Sequence, residues 1–286
     1  MPEFDVQSLL QTPSVWVRDV GCRGSCRHQS PEETMAVSHL VFPYRGVYVR
    51  HLGSEPSVAD ANQVVLFNRG DGYRVSHPVH GGDASLAIVV DDSVIRELAP
   101  RSLLHAGDAL AFAHPRLRID PRAQVLVALL RHSLRAGLAE PLEAESLTLT
   151  LVHRALGPRT THAAGSTTGN RRLVDRAKLA LTTDLSRRWT LDEVAREVGT
   201  SAVYLTQVFQ RVEGVPLYRY QLRLRLARAL DILAQRDDLS ALALELGFSS
   251  HSHFSAAFQQ TYGCSPSALR RRAIRSAPRG AATPRR

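Results

Sequence analysis

The chain has 286 residues, 44% of them hydrophobic and 22% charged, a formal net charge of +9 and three cysteines. That length accommodates two domains with real cores. No run of about 18 uncharged apolar residues exists, which excludes a transmembrane helix, and so few cysteines argue against a disulfide framework. The start M-P-E-F-D-V has neither the basic nor the apolar region of a signal peptide, so a cytoplasmic location is expected.

Residues 1–20 read as an amphipathic lead-in anchored by Leu9, Leu10, Val15, Trp16 and Val17, and residues 21–31 as a loop punctuated by Gly, Ser and Pro. This loop holds C-x3-C-x-H, formed by Cys22, Cys26 and His28. Thiolate and imidazole ligands at such spacing can hold zinc or a softer metal, with His77 or His80 as a further ligand. Arg23 and Arg27 beside the thiols equally suit a lowered thiol pKa and a redox response. Ordinary loop cysteines are the third alternative, and all three stay open.

Short β-like runs follow at 37–42, 47–52, 64–67, 73–76 and 86–90, separated by P-Y-R-G, G-S-E-P, N-R-G-D-G and H-G-G-D. Short strands at this spacing predict a sandwich or barrel. Alternation makes Tyr44, Tyr48, Phe67, Tyr73 and Arg74 pocket candidates, with core packing as the competing role. The run S-H-P-V-H-G-G-D (76–83) is the nearest approach to the His and carboxylate ring of a metal-dependent barrel enzyme. Its spacing does not fit, and the chain reads as a non-enzyme.

A short helix is expected at 91–98, its acidic start suited to the positive end of the helix dipole. Two longer helices follow at 121–138, with Val125, Leu126, Leu129, Leu130 and Leu134 on one face, and at 141–156, with Leu147, Leu149, Leu151, Val152 and Leu156. They either cover the β domain or form a dimer interface. Residues 157–169 are small and polar, as in an interdomain linker.

The basic excess lies beyond this linker. From Asn170 onward there are 20 Lys and Arg against 10 Asp and Glu; before it there are 16 against 17. A helix at 171–185 opens this half. Thr190 and Glu193 then form a T-x-x-E capping box, and Leu191, Val194, Ala195 and Val198 make one helical face. Gly199 supplies the left-handed residue that ends the helix. Ser201 caps the next one, where Leu205, Val208, Phe209 and Val212 face inward. Two short amphipathic helices around a Gly-containing turn predict a helix-turn-helix unit. The pattern recurs in Leu242, Ala243, Leu246 and Gly247, then in Phe254, Ala257, Phe258 and Tyr262. Gly214 before Pro216 closes the first unit, and Gly263 before Pro266 the second. Between them, residues 216–234 form a helix with Leu222, Leu226, Ala229, Leu230 and Leu233 as its stripe. It spans roughly 30 Å, close to the separation of about 34 Å between successive major-groove segments.

The linker run R-L-A-R-A-L-D-I-L (225–233), the run L-G-F-S-S-H-S-H-F-S-A-A-F (246–258) and G-C-S-P (263–266) resemble the DNA-binding domain of the AraC/XylS family of bacterial transcription regulators. The resemblance covers residues 170–271 and implies an α+β chain of two parts. Residues 1–156 would be a cupin-like β-barrel with helices, for sensing and dimerisation. Residues 170–275 would be an all-α domain of two helix-turn-helix units joined by a long helix, with 276–286 a basic disordered tail. It also implies double-stranded promoter DNA and RNA polymerase as partners, a small-molecule or metal effector, a homodimer and no membrane association.

Removing the buried face of the first unit's second helix leaves Ala202, Val203, Thr206, Gln207 and Gln210 outward. The family motif puts Val203, Thr206 and Gln207 at base-facing positions, and in the second unit His251, Ser252, Ser255 and Ala256. Gln suits adenine, and Thr and Val methyls suit thymine. Ala256 stands where many relatives have a longer polar or basic residue, which shifts the second unit toward phosphate contacts. Candidates for these are Ser249, Ser250, His253, Arg188, Arg211, Arg219, Arg223, Arg270, Arg271 and Arg272. Cys264, in the second closing turn, is read as packing.

Overall fold

The computed structural model describes residues 4–24, 28–157 and 167–275, with side chains as far as Arg271. Cys26, most of the expected linker, the Arg272 side chain and the expected tail lie outside the described residues.

The N-terminal segment is a strand pair rather than an amphipathic lead-in. β1 (Phe4–Gln11) and β2 (Val15–Cys22) pair antiparallel, with Thr12 Oγ1 accepting from the Val15 amide at 3.1 Å in the turn. Val15 and Val17 alternate with Trp16 and Arg18, the period of a strand with one buried face. The remaining strands are β3 (Glu33–Thr34), β4 (His39–Arg45), β5 (Tyr48–Leu52), β6 (Glu55–Ala59), β7 (Gln63–Phe67), β8 (Gly72–Ser76), β9 (Asp83–Val90) and β10 (Arg116–Arg118). They form a six-stranded sheet, β1-β2-β9-β4-β7-β10, and a four-stranded sheet, β3-β8-β5-β6. The two sheets form the sandwich that the strand spacing allows, and the cupin-like barrel implied by the resemblance is open, since the described strands do not close into a hydrogen-bonded ring. The edge strands β3 and β10, of two and three residues, are too short to carry a ladder from one sheet to the other.

Alternation along β9 separates two cores. Ala84, Leu86, Ile88 and Val90 join Leu40, Phe42, Val64 and Leu66 under the helices α1 (Asp92–Leu98), α2 (Pro121–Arg135) and α3 (Pro141–Leu156). Ala87 lies on the opposite face with Val41, Tyr48, Val65, Phe67 and Tyr73, between the sheets. Asp91 caps α1 and Asp120 caps α2 through side-chain oxygens.

The second domain contains α4 (Thr168–Thr183), α5 (Leu191–Glu197), α6 (Ala202–Glu213), α7 (Leu217–Ile232), α8 (Leu239–Glu245), α9 (His251–Tyr262) and α10 (Pro266–Arg275). A short 3-10 turn, Leu233–Gln235, extends α7. The predicted capping box at Thr190 and Glu193 forms with both of its bonds. Gly199, Gly214, Gly247 and Gly263 all adopt positive φ where the helices turn. α10 was not anticipated as a separate helix; it closes the second unit's core with Leu269.

α7 does not have the single apolar stripe expected. Leu226, Ala229 and Leu233 are buried, Leu222 and Leu230 only half-buried, while Tyr220, Gln221, Leu224, Ala227, Asp231 and Ile232 are buried as well. The helix is covered from several directions: one unit's core takes Tyr220, Leu224 and Ala227, the other takes Leu226, Ala229 and Ile232, and β4 and α2 pack against it. α2 is therefore sandwiched. Ala123, Val127 and Leu130 face the β domain, while Leu129 joins the core of the second unit. No described helix is long and apolar enough to cross a membrane.

Candidate nucleic-acid interface and sensor cavity

Each unit begins its second helix on a serine cap. Ser201 Oγ accepts from the Tyr204 amide at 3.2 Å, and Ser250 Oγ from the His253 amide at 3.1 Å. On α6, Leu205, Val208, Phe209 and Val212 are buried, which turns Val203, Thr206, Gln207 and Gln210 to the surface; Val203 is 70% exposed. Thr206 spends its hydroxyl on the Ala202 carbonyl at 2.9 Å and leaves its methyl outward. On α9, Phe254, Ala257 and Phe258 are buried, His251, Ser252 and Ala256 are exposed and Ser255 is half-buried. His251 and Ser255 are hydrogen-bond partners at 3.3 Å, so part of this surface's polar capacity is used internally.

The basic residues divide. Arg188, Arg211, Arg219 and Arg271 are exposed. Arg223 is half-buried, and desolvation lowers its pKa. Arg270 donates to the carbonyls of Arg236 at 2.8 Å and Asp237 at 2.6 Å, fastening α10 to the turn before α8. Ser250 acts as the α9 cap, and Ser249 pairs with His253 at 3.1 Å. Sequence reasoning missed Arg225, which donates to the carbonyls of Leu185, Arg187 and Gly247. It thereby joins the loop before the first unit to the turn of the second. A Cβ on Gly247 would stand 2.2 Å from the Ser186 carbonyl oxygen, so glycine is required at this approach. The two units are thus held in one fixed orientation on α7.

A helix-turn-helix domain family matches residues 194–272. The C-terminal domain is a helix-turn-helix domain of AraC type. Over 226 residues the chain is 26% identical to LumQ of Photobacterium leiognathi, named a probable transcriptional regulator, covering 74% of this chain and 83% of LumQ. It is 30% identical over 100 residues to the HTH-type transcriptional regulator ExsA of Pseudomonas aeruginosa, spanning 35% of this chain and 36% of ExsA. A solved AraC-type regulator from Chromobacterium violaceum is 27% identical with a TM-score of 0.35, over 37% of this chain and 96% of that one.

The AraC-type domain is joined to the β domain through buried charge. Asp231 on α7 accepts from Arg45 at 2.9 Å and Arg131 at 2.7 Å, both from the β domain, and pairs with Arg228 of its own helix. Within the AraC-type domain, Lys178 of α4, with no exposed side-chain area, meets the equally buried Glu213 of α6. Arg116 pairs with Asp175 at 2.9 Å, and Tyr220 donates to Asp60 at 2.6 Å. Burial raises the Asp60 carboxyl and the Tyr220 phenol. Tyr262 at the end of α9 donates to Gln124 of α2 at 3.1 Å.

Between the two sheets lies an open cavity of about 300 Å³. Tyr48, Phe67 and Tyr73 line it, with Arg18, Met35, His39 and Val41. Tyr44 is not among its walls. Its hydroxyl donates to Asp19 at 2.6 Å and its ring lies under Arg131 at the domain junction. Arg74 is exposed and paired with Glu32. Alternation in β4 and β8 explains the split, since a shift by one residue sends a side chain to the other face. Desolvation lowers the His39 pKa to about 4, so this imidazole is neutral near pH 7. Arg18 stacks on Trp16, and its Nε is buried without a hydrogen-bond partner.

Cys22, His77 and Asp83 come together beside this cavity, which His77 and Asp83 line. Cys22 and Asp83 are cross-strand partners in the β2–β9 ladder, and His77 follows β8 in the other sheet. The intervening turn lets the chain cross between sheets through Gly81 and Gly82, both at positive φ; a Cβ on Gly82 would stand 2.3 Å from the Cys22 carbonyl oxygen. His77 Nε2 lies 3.1 Å from Asp83 Oδ1. The hydrogen bond to Asp83, then that to Cys22, raises the His77 pKa to about 10. His28 and His80 are exposed and outside this cluster.

Proposed function

We propose that the chain is an effector-responsive transcription regulator that reads promoter DNA through α6 and α9 and senses a small molecule in the β-domain cavity. The observation that carries this is the pair of serine-capped helices, each with a buried apolar face and an exposed polar one, fixed at the two ends of α7. α7 and its terminal turn run about 30 Å, which suits two adjacent major-groove segments. The relatives named as transcriptional regulators support the same function.

The cavity's aromatic and aliphatic walls favour a compact, mainly apolar organic molecule. The unsatisfied Arg18 Nε favours one with an anionic or hydrogen-bond-accepting group. The Asp231 and Asp175 ion pairs give its occupancy a route to the AraC-type domain, because both reach across from the β domain. RNA polymerase contact and a homodimer belong to the same proposal.

Selection of bound sequences from a random DNA pool, with and without Val41→Phe to fill the cavity, tests it. The expected result is unchanged DNA selection by the variant with loss of the effector response in a reporter strain. Failure of the unsubstituted chain to enrich any sequence would contradict the DNA-reading function.

A further inference from the structure

We infer that Cys22, His77 and Asp83 form a mononuclear site for a borderline or soft divalent transition metal, zinc above all, built into the cavity wall. One ligand atom from each lies within 4.8 Å of the others, a spread that ordinary metal–ligand distances of about 2.0–2.3 Å can close. All three side chains are at most 9% exposed. One feature separates this cluster from a structural hydrogen-bond group. The His77 Nδ1 atom is buried with no hydrogen-bond partner, so the imidazole's bonding capacity is not exhausted. The Gly24 amide donates to Cys22 Sγ at 3.4 Å, which holds the sulfur in place beside the other two ligands.

The chemistry of the donor set narrows the ion. A thiolate with an imidazole and one carboxylate suits zinc or a similar ion and disfavours magnesium and calcium, which take oxygen ligands. Three protein ligands leave a coordination position open, as in sites that bind an exogenous molecule rather than in closed structural sites. His77 and Asp83 both line the cavity, so that position is accessible from the space proposed for the effector. The metal site stands without that proposal, since its ligands and their burial do not depend on what fills the cavity.

Titration of the chelator-treated full chain with Co²⁺ tests the inference. The expected result is about one cobalt per chain, with a near-ultraviolet thiolate-to-cobalt band and visible bands of tetrahedral intensity. Cys22→Ser abolishes the near-ultraviolet band, Cys264→Ser leaves it, and Asp83→Asn weakens zinc affinity by at least roughly 10-fold. No stoichiometric cobalt, or a thiolate band that survives Cys22→Ser, overturns the assignment. If Cys22→Ser fails to fold, His77→Gln reads the same site with the thiol intact. An altered visible spectrum supports the site, and one identical to the parent chain's overturns it.

Discussion

The two helix-turn-helix units share a plan and differ in what they offer DNA. Both second helices start on a serine, bury aromatic and aliphatic residues and end on a left-handed glycine. The first presents Gln207, Gln210, Val203 and the Thr206 methyl; the second presents His251, Ser252, Ser255 and Ala256, two of which bond each other. They are also braced differently. In the first, the fully buried Lys178–Glu213 pair ties α6 to α4; in the second, α9 reaches α2 through a neutral hydrogen bond from Tyr262 to Gln124. A duplicated scaffold thus carries unequal chemistry. Under the proposed function, the first unit supplies base readout and the second leans on backbone contact.

Breaking these braces tests the asymmetry most severely. Lys178→Met leaves Glu213 buried without its cation and is expected to cost about 3–5 kcal/mol, measured by denaturant unfolding. Tyr262→Phe removes one neutral hydrogen bond and is expected to cost about 1 kcal/mol. Equal losses would remove the distinction between the two braces.

Readout comes next. Gln207→Ala is expected to cost about 1–3 kcal/mol at one or two positions of the bound site and to relax sequence preference there. His251→Ala is expected to change preference less, since its ring already serves Ser255. A uniform loss over all sequences for Gln207→Ala would move that residue out of the groove. Arg211→Ala is expected to weaken binding to every sequence and flatten the salt dependence by about one unit of slope; an unchanged slope would show that Arg211 meets no phosphate. The smallest effect is in the caps. Ser201→Ala and Ser250→Ala are each expected to cost about 1 kcal/mol of stability, and a large difference between them would show that the scaffold itself is not shared.

The helical half was legible because its signals are local. Thr190 and Glu193 lie three residues apart, and Gly199, Gly214, Gly247 and Gly263 punctuate helices within a few residues of where they act. The β half was legible in kind but not in detail, because its contacts join residues far apart in the chain. Asp83 became a neighbour of Cys22 only through the β2–β9 register, and His77 through the crossover between sheets. Sequence proximity therefore groups Cys22 with Cys26 and His28, with His77 or His80 as a further ligand, and leaves Asp83 out of the set. Trp16 and Val17 read as part of an amphipathic lead-in because the alternation of β2 is short and its partner β9 lies some 70 residues away. Alternation makes Tyr44 a pocket candidate because it gives two faces without saying which one meets the other sheet. α7 misled for a further reason: a helix covered from several directions buries polar residues such as Gln221 and Asp231, and no stripe in the sequence marks them.

The most direct measurement is base-resolution mapping of the site that the full chain selects from random DNA. The account predicts two protected major-groove segments about 10–10.5 base pairs apart, with strong sequence preference under the first unit and weak preference under the second. Gln207→Ala should erase preference in the first segment alone. Equal preference in both segments, or protection of a single one, would contradict it.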